Sequence, residues 1–63
     1  MDAETFNAAL RKFLREVGVT SQQAVEAAVA QANPPGPTIR LKMTMTSPDL
    51  PLEHVVEHDI ELG

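Results

Sequence analysis

Sixty-three residues, 43% of them hydrophobic and none of them cysteine, suit one small domain with neither disulfides nor thiolate zinc sites. A chain this short buries only roughly 60% of the surface its unfolded form exposes, which leaves economical packing or a partner chain to stabilise it. Nine acids against five bases give a net charge of −4, unfavourable for nucleic acid and for anionic membrane surfaces.

No apolar run approaches the roughly 18 residues of a spanning helix. The acidic opening MDAETF is unlike the basic start of a signal peptide. A soluble, cytoplasmic protein is the expectation.

In chain order, residues 2–17 predict an amphipathic helix. Phe6, Ala9, Leu10, Phe13, Leu14 and Val17 recur three and four apart, on one face. Asp2 is the candidate N-cap, with Met1 and Phe6 placed as a hydrophobic staple. Gly18 predicts the end of this helix, since it adopts the left-handed conformation without a Cβ clash. Thr20 with Gln23 three residues on has the spacing of a capping box, opening a second helix over 21–32. That helix would bury Val25, Ala28, Val29 and Ala32. Asn33 precedes proline and stops it.

NPPGP, residues 33–37, reads as a stiff connector between a helical hairpin and a β-hairpin. TIRLKMTMT then alternates strictly, with Ile39, Leu41, Met43 and Met45 on one face and Arg40, Lys42, Thr44 and Thr46 on the other. SPDLP is a loop. LEHVVEHDIEL, residues 52–62, alternates less cleanly, with Leu52, His54, Val56, His58, Ile60 and Leu62 on one parity. An antiparallel register that pairs Lys42 with Glu57 also pairs Arg40 with Asp59, setting opposite charges face to face. An alternative splits this segment into two short strands at Glu57-His58.

The fold expected is α+β in the order ααββ. Two antiparallel helices, about 2–17 and 21–32, pack on a short antiparallel sheet, about 38–46 and 52–62, all in one domain spanning 1–63. The expected apolar contacts are Phe6, Leu10, Phe13, Leu14, Val17, Val25, Val29, Ile39, Leu41, Met43, Val56 and Ile60.

FNAALRKFLREVGVTSQQAVEAAV, followed by IRLKMTM, LPLE and IEL, resembles a family of short bacterial proteins of unknown function, along nearly the whole chain. RKFL and VGVTSQ are its most specific pieces. The resemblance implies a stand-alone protein and attaches no activity, cofactor or catalytic residue. Relatives carry more charge on the second helix and an acidic-Gly turn near Glu57-His58. This chain departs at both places, so the strand count stays open.

Several constellations suggest chemistry. His54 and His58 lie four apart. On a strand that is about 13 Å, too far for one ion to bridge with bonds of about 2.0–2.1 Å; on a helix the same spacing would chelate. The two are expected as sheet residues, with a metal or small-ligand binder as the lesser alternative.

LREVGVTSQQAVEAAV has the look of a helix-turn-helix. Its second helix offers Gln22, Gln23, Glu26 and Gln31 but no base to hold phosphate, so nucleic-acid binding is a minor alternative.

Arg11, Lys12 and Arg15 form a basic cluster, and Arg40 with Lys42 a second. These five are the candidate interaction residues. The carboxylates Glu53, Glu57, Asp59 and Glu61 face Arg40 and Lys42 rather than a nucleophile. Neither an enzyme nor a cofactor is expected. The expected function is a small protein-interaction or structural module, whose unidentified protein partner includes a second copy paired through the sheet edge.

Overall fold

The structure is a computed structural model that describes residues 1–33 and 36–63. The chain divides into two units, Met1–Asn33 and Pro34–Gly63. The first is one α-helix, α1, Ala3–Ala32, of 30 residues. The second is an antiparallel hairpin of β1, Thr38–Thr46, and β2, Glu53–Glu61. The chain is α+β as expected, but with a single helix where the punctuation at 18–20 predicts two. The expected connector over 33–37 falls partly on Pro34 and Pro35, which lie outside the described residues.

Helix α1 starts where the sequence places it. The Asp2 carboxylate Oδ1 accepts from the Glu4 and Thr5 amides at 3.0 and 3.4 Å, and Oδ2 accepts from the Thr5 hydroxyl at 2.8 Å. Three otherwise free donors at the helix start are thereby engaged. The staple is not made: Met1 is 104% exposed and covers nothing.

The interruption expected at Gly18 is absent for identifiable reasons. Asn33 and Gly63 are the described residues with positive φ, so Gly18 is helical and not a left-handed cap. A glycine inside a helix costs only about 1 kcal/mol relative to alanine, which the flanking sequence can absorb. Thr20 is not an N-cap either. Its hydroxyl donates to the Glu16 carbonyl at 2.7 Å, a bond back into the preceding turn that is made from within a helix and not from its start.

The apolar pattern also passes Gly18 without losing phase. Ala3, Phe6, Leu10, Leu14, Val17, Ser21, Val25, Ala28 and Ala32 are spaced three or four apart throughout, averaging about 3.6 residues, one turn of α-helix. Helix α1 ends at Asn33, left-handed with φ 47°, a conformation asparagine tolerates better than most residues. The stop before proline was therefore legible, and the residue that makes it is asparagine rather than glycine.

The hairpin follows the predicted register. Arg40 pairs with Asp59, Lys42 with Glu57, Met43 with Val56 and Ile39 with Ile60. β2 runs without a break through Glu57 and His58, so the two-strand alternative for this segment is not adopted. That dipeptide offers nothing that favours the positive φ of a tight turn.

Residues 47–52 form the connecting loop. The Ser47 hydroxyl accepts from the Asp49 amide at 3.1 Å, and the Leu52 amide donates to the Leu50 carbonyl at 2.8 Å, closing a tight turn centred on Pro51.

Each unit is described by itself. Within neither unit is a described residue buried. Phe6 and Phe13 remain 50% and 52% exposed, and Met43, Val56 and Ile60 are exposed too. The cause is the count of layers within each unit. A lone helix and a two-stranded ribbon are each a single layer, and a hydrophobic core needs two.

Candidate functional site

Pairing in the observed register gives the hairpin two unlike faces, because residues directly opposite each other share a side. One face carries Ile39, Leu41, Met43 and Met45 from β1, opposite Ile60, His58, Val56 and His54 from β2. The other carries Arg40, Lys42, Asp59 and Glu57, with Thr38, Thr44 and Thr46 opposite Glu61, Val55 and Glu53.

Arg40 organises the polar face. Its Nη1 donates to Asp59 Oδ1, directly across, and its Nε to Glu57 Oε2, on the diagonal, both at 3.0 Å. The sequence shows the first pairing. The second follows from the reach of a long side chain to the diagonal neighbour, which the opposite-residue rule alone overlooks. With the Arg40 side chain 61% exposed, each bridge contributes about 0.2–1 kcal/mol and is weakened by salt. Their larger effect is on register: a slip of one residue would reverse the faces and break both bridges.

His54 and His58 stand on the apolar face, opposite Met45 and Leu41. Both belong to one continuous strand, so they are about 13 Å apart and cannot hold a common ion within one chain. Among the described residues, no three His, Cys, Asp or Glu side chains gather to hold a metal ion.

On α1, Arg11, Lys12 and Arg15 are exposed, with Arg11 and Arg15 one turn apart. Two short helices would have put these cations near a carboxyl end, where they complement the dipole. In the single helix they sit mid-length, and its last turn contains no base. The structure keeps this cluster and the Arg40–Lys42 pair on separate units.

The continuous helix also removes the helix-turn-helix, since no turn is present to set a recognition helix apart. Gln22 reaches only its own neighbour, donating to the Glu26 carboxylate at 3.3 Å. No helix among the described residues is long and apolar enough to cross a membrane.

The sequence profile of a family of unknown function, DUF6494, matches residues 1–63. The chain belongs to that family. Membership in DUF6494 covers the helix and the hairpin together and brings no assigned activity or site. No curated protein and no solved structure matches the chain.

Proposed function

We propose that this DUF6494 protein is a small non-enzymatic protein-interaction or structural module that works by covering its apolar faces with a protein partner. One observation carries the reading: neither unit buries a described residue by itself, although 43% of the chain is hydrophobic and the apolar residues are sorted onto one stripe of α1 and one face of the hairpin. Sorted apolar surface of this kind on an otherwise polar chain marks an interaction site. The acids most suggestive of catalysis, Glu57 and Asp59, are engaged by Arg40 on the wet face, which supports a structural role for them.

A second copy of the chain is the first partner to consider. Among the described residues β1 and β2 pair with no strand but each other, and the outer edge of such a strand can add one from another chain. Arg40 and Lys42 on β1 are the charged residues that usually discourage such pairing. The absence of cysteine supports a cytoplasmic setting.

The test is sedimentation of the purified chain over a hundredfold range of concentration, with amide NMR spectra recorded at both ends. A mass that rises with concentration, with broadening confined to the apolar faces, is the expected result. A constant monomer mass with sharp, unchanged spectra would remove self-association. If screening against candidate protein partners then shifted no residue on these faces, the module reading would fall as well.

A further inference from the structure

We propose that Met43, Met45 and His54 form a site for a soft monovalent metal ion, Cu(I) or its analogue Ag(I). All three donors belong to the hairpin unit of one chain, so the site requires no partner.

The strand register brings them together. Met45 stands directly opposite His54, and Met43 stands opposite Val56. Directly opposed residues have Cβ atoms about 4.5–5.5 Å apart, and diagonal neighbours lie within about 7–8 Å. Met43 is therefore a diagonal neighbour of His54. It is also two residues before Met45 on the same face of β1, a separation of about 7 Å. Each side chain carries its donor two or three bonds beyond Cβ, and methionine turns about three bonds. Two thioether sulfurs and one imidazole nitrogen can thus converge on one point above the sheet.

The chemistry of the donors selects the ion. Both histidines of the chain and two of its three methionines stand on this one face. The pleat sets the carboxylates Glu53, Glu57, Asp59 and Glu61 on the other face, where they cannot join the site. Oxygen donors for calcium or magnesium are therefore missing from the ligand set, and so are the thiolates and additional imidazoles that zinc favours. Thioether sulfur is soft and selects Cu(I). All three donors are also uncharged when the imidazole is neutral. A divalent ion among them would leave two charges uncompensated on an apolar face, and a monovalent ion leaves one.

His58 provides a comparison within the same strand. It stands opposite Leu41, and Met43 reaches it only on the diagonal, so at most two donors meet there. What distinguishes His54 is the thioether directly across from it. The two histidines are about 13 Å apart, so an ion held at His54 is not shared with His58. Packing alone would need only apolar volume at positions 43 and 45, which leucine supplies equally well. Metal binding needs the sulfur.

The experiment is titration of the full chain with Ag(I), which stays monovalent in air, in a chloride-free and thiol-free buffer. NMR follows the methionine methyl groups and the histidine rings. The Met43 and Met45 methyls and the His54 ring should shift together and saturate at one ion per chain, with Met1 and His58 unmoved. Zn(II) should leave the same signals in place. Met45→Leu and Met43→Leu, which conserve volume, should each weaken Ag(I) binding by about 10-fold or more, and His58→Ala should not. Amide spectra of each variant without metal check that the hairpin register persists. Overturning results are the absence of methyl shifts at one equivalent, equal responses at Met1 and His58, or leucine variants that keep the register and bind as tightly as the parent. Zn(II) moving the same three signals as strongly as Ag(I) would overturn the soft-ion assignment.

Discussion

Replacing Gly18 with alanine separates one helix from two by the sign of a single measurement. In α1 the residue is helical, and a Cβ built on it meets nothing within 4 Å. The new methyl therefore costs no packing, and the difference in helix propensity, about 0.8–1.0 kcal/mol in favour of alanine, should be gained almost in full. That is roughly a fivefold change in the folding equilibrium, or about 4–8 °C in melting temperature for a domain of this size. Were Gly18 a left-handed cap between two helices, alanine would instead cost about 1–2 kcal/mol. The assay is urea unfolding followed by far-UV circular dichroism, with both proteins at one concentration because association shifts apparent stability. A Gly18→Ala midpoint below that of the parent would refute the continuous helix. Helical Cα shifts from Glu16 through Gln22 would corroborate it independently.

Other consequences follow from the two helix ends and the polar face. Asn33→Ala should destabilise the chain by about 1 kcal/mol in the same urea assay, while Asn33→Gly should be neutral or slightly stabilising, because φ 47° strains any residue with a Cβ except asparagine or aspartate. The Asp2 carboxyl is held below its usual range by the Thr5 hydroxyl first, and then by the Thr5 and Glu4 amides. A carboxyl lowered in the folded state contributes stability above its unfolded pKa and loses it as pH falls through the folded value. Helicity should therefore decline on acidification below about pH 4, and Asp2→Asn, which caps at every pH, should lose less in a circular-dichroism titration. Arg40→Ala removes both cross-strand bridges and should lower stability by about 0.5–1 kcal/mol at low salt, a difference that shrinks in 1 M NaCl.

The hairpin was legible because its signals agree. Strict alternation in TIRLKMTMT fixes which residues share a face, and complementary charges on Arg40, Lys42, Glu57 and Asp59 favour the register that is observed. The helix misled because its local and long-range signals conflict. Gly18, Thr20 and Gln23 imitate a stop followed by a start, since each is a terminus residue considered alone. The deciding information lies farther apart, in the unbroken phase from Leu14 through Val17 and Ser21 to Val25, which a real turn would have shifted. Ser21 hides that continuity, because a polar residue on the stripe looks like a gap in it. What covers the apolar side of each element was not legible at all. Amphipathic patterning shows which side of an element wants cover, and it is silent on whether the same chain provides it.

The spacing along the α1 stripe has a geometric consequence. Coiled-coil helices repeat every 3.5 residues and must wind around one another to keep their seams in register. Here the mean step of about 3.6 residues leaves almost no drift, so the stripe runs nearly straight down one side of a rod about 45 Å long instead of coiling around it.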